Sequence, residues 1–500
     1  MTTRERPFVP YTLLVVTVIA FGGCRARPDF HRPAPPAVER YTAQPLPGAA
    51  GAGSDAQRLV TGGDVPAEWW TLFRSPQLDA LIARALDANP DLAAATAALR
   101  VAQENLSAGK GALYPNAGIG FNASRQRNAG TLASPLQSGA DYFALHTAQV
   151  SVSWAPDLFG GTRRGLEALR AQADVQRFQL AAARLSLTAN VVVAAINEAG
   201  LRAQMATTQG VIADQRQTLE SLERQFALGA VPEAAVAAQQ AALAGAEAGL
   251  PPLRKQLEQQ RDALAALLGE PPSQMDAPRF ELADLHLPPV LPLTLPARLV
   301  ERRPDVLAAE ATLHVASAQV GVAVANRLPK LVLGANAGSA AADLTALFSQ
   351  GTSFWELAAG ITEPVFDAGS LKHQQRAAEA AFDQAKAQYR ATVIAALQNV
   401  ADTLHALRND ADALAAARTA EQAAARSLAI SRRQFAHGDV SHVAVLQAEQ
   451  TAQQAELALV QAQVGRYSDS AALVQALGGG GWHADVVQAG TLSPQRDSRR

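Results

Sequence analysis

The sequence predicts an α+β membrane protein made of one unit used twice, each copy holding two membrane-compatible strands and a long helical hairpin. Three observations point there. The motif Arg-Gln-Phe-Ala-x-Gly-x-Val occurs at residues 224–231 and again at 433–440. Other landmarks keep nearly the same spacing: Asn89-Pro90-Asp91 answers Arg303-Pro304-Asp305, Tyr114-Pro115 answers Leu328-Pro329, Pro156 and Gly161 answer Pro364 and Gly369, and Gly269 answers Gly478. Register kept over that distance marks a duplicated supersecondary unit. Finally, apolar residues make up 48% of the chain but aromatics only 5%, so the apolar content is mostly Ala, Leu and Val. Small side chains let long helices approach closely.

The chain opens with an address. Arg4 and Arg6 precede an apolar stretch at 11–21, followed by Gly22-Gly23 and Cys24, the only cysteine. Basic, apolar, small is the order of a secretory signal, read here as residues 1–23, and the stretch is too short to span a bilayer. A cysteine at the cleavage point resembles a bacterial lipoprotein box, although Phe21 stands where Leu is usual. That resemblance implies an acylated Cys24, and Arg25-Ala26 after it resembles a lipoprotein sent to the outer membrane. One cysteine also excludes intramolecular disulfides. A net charge of −2 gives no case for nucleic acid.

Residues 24–75 read as an extended, lipid-anchored segment rich in Pro, Gly and Ala, ending at Glu68-Trp69-Trp70. The first repeat is assigned to 76–269. Leu78, Leu81, Ile82 and Leu86 share a helical face, Asn89-Pro90 breaks that helix, and a second runs to about Ala112. Period two follows: His146, Ala148, Val150, Val152 and Trp154 line one face of a strand at 144–154, with Thr147, Gln149, Ser151 and Ser153 on the other. An apolar side against a hydroxyl-rich side fits a strand between lipid and water; 117–127 is its partner. Long helices are expected at 162–228 and 232–268. In the first, Leu166, Ala173, Leu180, Leu187, Ala194 and Leu201 recur every seven residues. A helix of this length reaches roughly 100 Å. Gly229 ends it and Pro232 opens the return, which Pro251-Pro252 should kink.

A proline-rich linker occupies 270–302. The second repeat, 303–478, offers strands at 331–338 and 354–362 and helices at 370–437 and 441–477; 479–500 reads as a flexible tail. No stretch beyond the N-terminus reaches the roughly 18 apolar residues of a spanning helix, so a membrane must be crossed by strands. Four strands cannot close a barrel and open edges do not survive in lipid. Three chains would supply a 12-stranded β-barrel, an even number within the bacterial range.

The order of these elements resembles the outer-membrane factor family, TolC-like channels of the lipoprotein branch. The likeness is carried by Glu68-Trp69-Trp70, Asn89-Pro90-Asp91, the Leu158-Phe159-Gly160-Gly161 turn and the doubled Gln-Phe-x-x-Gly turns, and covers about 68–477. It implies a homotrimer, a periplasmic α-barrel, and export of small molecules or drugs with a periplasmic adaptor and an inner-membrane pump of the RND type. It further implies that the hairpin tips meet the adaptor through Arg224, Gln225, Phe226, Gly229 and Val231, and through Arg433, Gln434, Phe435, Gly438 and Val440. The bland alternative is that the two glycines are helix caps with solvated flanks. The family's apolar and acidic pore rings map onto Val443 and Gln447, and its arginine partner onto Gln450; this chain departs from the pattern at both charged positions. A neutral Gln447 ring implies weak cation selectivity at the constriction.

The nine histidines do not cluster at metal spacing, and no phosphate loop, nucleophile elbow or zinc motif occurs. No catalytic site, cofactor or metal is therefore expected. The competing readings are a type I protein-secretion channel, a coiled-coil adaptor lipoprotein, and an enzyme on a helical scaffold. An adaptor would have one hairpin and would lack the duplicated strand pairs.

Overall fold

The computed structural model describes residues 29–44, 48–51, 56–127, 129, 131 and 142–480. Cys24, the signal segment 1–23 and most of the tail 479–500 lie outside them. The described residues form two compact units, one drawn from the ranges 1–32, 99–175 and 309–389 and the other from 33–98, 176–308 and 390–500. These units cut across the repeats, so each repeat contributes to both.

The first unit is built on a four-stranded antiparallel sheet. Its strands β3 (Asn116–Arg127), β4 (Tyr142–Trp154), β6 (Lys330–Ala341) and β7 (Ser353–Thr362) pair in the order β3-β4-β6-β7. Each repeat supplies one hairpin, and β4 pairing with β6 joins them, with Val150 opposite Ala337 and Trp154 opposite Leu333. β3 and β7 are left as the edges. Parts of helices α2 (Pro90–Lys110), α3 (Gly161–Ala227), α6 (Pro304–Ala325) and α7 (Ser370–His437) complete the unit. The segment after Cys24 is fastened here. Asp29 pairs with Arg164, Arg32 with Glu310 at 3.0 Å, and the Phe30 ring stacks on His314 with centroids 4.2 Å apart. His314 Nε2 in turn lies 2.8 Å from Glu167 Oε1.

The second unit holds the rest of α3 and α7 and their return helices, α4 (Glu233–Leu267) and α8 (His442–Ala476). The duplication survives in atomic detail. All four helices end in the same left-handed cap. Ala230 N–H donates to Gln225 O and Gly229 N–H to Phe226 O; Asp439 and Gly438 repeat this on Gln434 and Phe435. Gly269 and Gly478 close the return helices likewise, with φ of 75° and 88°. Such caps require positive φ, which glycine adopts without strain. The side chain just before α2 and the one just before α6 also do the same job: Asn89 donates to Leu267 O at 2.9 Å, and Arg303 donates to Ala476 O at 2.8 Å.

The repeats and their helices depart from the sequence reading in several features. The counterpart of Gly369 is Gly160, not Gly161, since both have φ 85° and both directly precede a long helix. The seven-residue stripe of α3 is fully buried only at Leu187 and Ala194. A straight helix drifts about 20° per heptad, so burial passes to Val191, Val192, Ala195, Ile196 and Ala199. Two helices, Gly161–Ala227 and Pro304–Ala325, do contain an 18-residue window apolar enough to cross a membrane, but 50% and 44% of those windows are buried inside the protein.

The extended segment and the linker hide a small sheet. β1 (Ala49–Ala50) pairs with β2 (Gln57–Thr61), which pairs in parallel with β5 (Val290–Leu293). Arg466 of α8, 1% exposed, clasps it by donating to Ala50 O and to Leu407 O of α7. Gln57 Nε2 donates to Pro288 O and Ser470 Oγ, both at 3.0 Å. Further core is made by Trp69 and Phe73 of the 3-10 turn Trp69–Phe73 and by Leu78, Leu81, Ile82 and Ala85 of α1 (Pro76–Ala88). α5 (Pro296–Arg302) adds Leu299 and Val300. Where the two prolines were expected to kink the return helix, α4 continues through Pro251 and Pro252 as one helix, with both residues exposed.

Candidate functional site

Two surfaces carry chemistry: the sheet faces of the first unit and the hairpin tips of the second. The ladder registers sort the sheet. Ile119 lies opposite Val150, Val150 opposite Ala337, and Ala337 opposite Trp355, so odd residues of β3, β6 and β7 share a face with even residues of β4. That face carries Phe121, Val152, Leu331, Leu333, Leu357 and Ile361. Ile119 is 89% exposed and Trp355 76%. A soluble protein does not leave large side chains of this kind in a row on an open sheet. The opposite face presents Asn122, Ser124, Thr147, Gln149, Ser151 and Asn336 with Gly118, Gly120, Gly334, Gly338 and Gly360. One face suits lipid and the other water. Trp154 sits at the lower end of β4, its Nε1 donating to Leu113 O at 3.1 Å, and the Arg127 guanidinium lies over Tyr142 at 5.1 Å at the other end.

At the tips, the motif residues divide by role. Gln225, Phe226, Gln434 and Phe435 lend their carbonyls to the caps, while Arg224, Phe226 and Arg433 are exposed. Leu228 is 84% exposed, an apolar residue presented to solvent that the motif did not single out. A side-chain carbon at Gly229 or Gly438 would meet nothing within 4 Å, so the demand for glycine there is purely one of backbone conformation. Val231 and Val440 are half-buried.

A polar clamp below the tips escaped sequence reasoning. Arg432 Nη2 reaches Asp214 of α3 at 2.9 Å and Glu449 of α8 at 3.0 Å. Burial opposes the Arg432 charge, but these two carboxylates outweigh it and hold the guanidinium above its ordinary range. Glu449 is buried and its second oxygen has no partner among the described residues. Two turns earlier on the same face, buried His442 places Nε2 3.0 Å from Gln239 Oε1 of α4, and Gln239 Nε2 donates to Gln215 O of α3 at 3.0 Å. Burial pushes the His442 imidazole down, with Glu449 pulling the other way. A cleft of about 460 Å³ beside the clamp is lined by Thr207, Asp214, Arg432, Glu449 and Glu456 among others. Only the separate residues were visible beforehand; no motif joins Asp214, Arg432 and Glu449.

Val443, Gln447 and Gln450 fall on the opposite, exposed side of α8 from His442, Val445 and Glu449. Among the described residues no group of three His, Cys, Asp or Glu side chains is placed to hold a metal.

The profile of the outer membrane efflux protein family matches residues 81–270 and 295–479. The chain belongs to that family. It is an outer-membrane channel of a tripartite efflux system, with its helical part in the periplasm. It is 31% identical over 420 residues to the pyoverdine export outer membrane protein OpmQ of Pseudomonas putida, covering 83% of this chain and 88% of that protein. Among solved structures, the outer membrane protein VceC of Vibrio cholerae superposes with a TM-score of 0.76 at 28% identity, over 83% of this chain and 99% of that one. The open-state MtrE outer membrane channel of Neisseria gonorrhoeae superposes with a TM-score of 0.78 at 27% identity, over 91% and 98%. The efflux channel thus shares with these proteins a fold rich in helices and carrying sheets.

Proposed function

We propose that this efflux channel works as a homotrimer whose sheets close into a 12-stranded barrel in the outer membrane. The observation that supports this is a four-stranded sheet with an apolar outer face and two unpaired edges, which lipid does not tolerate in one chain. Cys24 carries acyl chains that add a second anchor, each buried methylene contributing about 0.8 kcal/mol. The doubled tips, with exposed Phe226, Leu228, Arg224 and Arg433, receive the hairpins of a periplasmic adaptor, which couples the channel to an inner-membrane pump of the RND type. Val443 and Gln447 line the pore constriction, with Gln450 beside them. The cargo is a small molecule; a related protein named for pyoverdine export supports a secreted low-molecular-weight compound.

Amine-reactive crosslinking of detergent-extracted outer membranes tests the assembly and should stop at three chains. A monomer that keeps its strand content would overturn it. For transport, a strain lacking this gene should accumulate the pump's substrate, and a chain altered at both tips (Phe226→Asp with Phe435→Asp) should insert normally but fail to restore export. Full export by that variant would remove the tips from the coupling path.

A further inference from the structure

The cleft beside the clamp carries an imbalance of charge. Asp214, Glu449 and Glu456 line it against a single guanidinium, that of Arg432. Arg432 is already shared. Its Nη2 reaches Asp214 Oδ2 at 2.9 Å and Glu449 Oε1 at 3.0 Å, and its Nε turns to that same Glu449 oxygen at 3.4 Å. Glu449 Oε2 is left without a donor among the described residues, although the side chain is only 7% exposed. A buried charged oxygen without a donor is costly. The partner that fits it is a cation able to donate hydrogen bonds.

The carboxylates are not gathered around a point, and among the described residues no three of them are placed to hold a metal ion. They stand at two levels instead. Asp214 of α3 and Glu449 of α8 form the level nearer the tips. Seven residues further from the tips on each helix, Thr207 and Glu456 form the second, with Thr207 Oγ1 donating to Glu456 Oε1 at 2.9 Å. Seven residues are close to two turns, so each helix presents both of its groups on one side, about 10 Å apart. Val211 and Ala452, which lie between the levels on their own helices, line the same cleft of about 460 Å³. It is therefore acidic at two heights and apolar between them.

We propose that this cleft binds a linear aliphatic polyamine of the length of spermidine. One terminal ammonium donates to Glu449 Oε2 and to Asp214. The methylenes run past Val211 and Ala452, and the far ammonium meets Glu456. An alkylammonium brings three donors and no acceptor, which matches a lining short of donors. Hydrogen bonds between two ionised groups are roughly twice as strong as neutral ones. Bound in this way, the amine ties α3 to α8 at two heights, beside the clamp rather than through it. The site is built from one chain alone, so it does not depend on the trimeric reading.

Isothermal titration of spermidine into the purified full-length protein in nonionic detergent tests the site. One spermidine per chain is expected. Glu449→Gln should weaken binding about tenfold, and Glu456→Gln about threefold. Glu456 is exposed, so its variant should fold even where the buried one does not. Glu223→Gln, an exposed change on α3 outside the cleft, should leave the affinity as it was. Putrescine, a diamine too short to reach both levels, should bind about tenfold more weakly than spermidine. Wild-type affinity in both cleft variants, or an equal loss in Glu223→Gln, would reveal diffuse attraction to surface charge and overturn the site. Displacement of spermidine by an equal concentration of magnesium chloride would overturn the amine as its occupant.

Discussion

His442 Nε2 and Gln239 Oε1 lie 3.0 Å apart, tying the start of the second return helix to the first one through two buried side chains. Gln239 passes the link on to the Gln215 carbonyl of α3. Both repeats are thus pinned together just behind their tips by neutral hydrogen bonds, each contributing about 1 kcal/mol.

The pin should weaken in acid. Burial holds the folded His442 imidazole below its ordinary 6.5. Between the folded and unfolded pKa values the unfolded chain binds more protons, so this contribution is complete above pH 6.5 and is lost as pH falls below it. Replacing His442 with Gln should flatten the dependence of thermal midpoint on pH between 7.5 and 5.5. An unchanged slope would show that other groups set it.

Arg432 should matter more than its partly exposed position suggests. Arg432→Ala leaves Glu449 buried without its cation, at a cost of about 1–2 kcal/mol after allowing for solvent at the arginine. Loss of the Asp214 link also frees α7 from α3. Planar-bilayer recordings should show higher conductance, and Arg432→Lys should fall between the two.

Asp469 has the opposite sign from an ordinary carboxylate. Burial and a hydrogen bond with Asp410 raise it to about 7, against the pull of Arg466. The folded state then holds a proton that the unfolded state has lost, so stability falls as pH rises from about 4 through 7. Asp469→Asn should stabilise the protein at pH 8 by about 1 kcal/mol, discounted for its half-buried position, and have little effect at pH 4. Equal gains at both pH values would contradict the shared proton.

The capping glycines should rank by what surrounds them. At Gly438 a methyl group meets open space, so Gly438→Ala costs only left-handed strain, about 1 kcal/mol. At Gly269 the methyl would also sit 2.5 Å from Ala88 O and 2.9 Å from Pro90 Cδ. Thermal unfolding should place Gly269→Ala well below Gly438→Ala.

The proposed constriction is open to electrical measurement. Gln447→Asp should raise cation preference and Val443→Ala should raise conductance, since both side chains stand on the exposed face of α8. If neither quantity moves, the narrowing lies elsewhere on the helix.

What could be read beforehand depended on whether a signal was local. Strand period, proline breaks and capping glycines act over a few residues, so the two hairpin pairs and the paired tips were legible. The β1-β2-β5 sheet was not, because it joins 57–61 to 290–293 through short strands without alternation, one of them containing Pro292. The clamp was hidden for the same reason: Asp214 and Arg432 sit more than two hundred residues apart, and nothing in either neighbourhood marks the other. Gly160 and Gly161 are identical letters side by side, and only the backbone, with φ of 85° at both Gly160 and Gly369, tells which of them answers Gly369.

The matched lengths of the hairpins limit how the gene can change. Helices α3 and α7 span 67 and 68 residues, and α4 and α8 span 35 each. Deleting one residue from a single helix turns everything beyond it by about 100° and shortens it by 1.5 Å. His442 would then swing away from Gln239, and Arg432 from Asp214. Indels should therefore survive only as near-multiples of seven, where the rotation is almost restored, and only when all four helices change together. Reach into the periplasm is quantised by this arithmetic, in steps of about 10 Å.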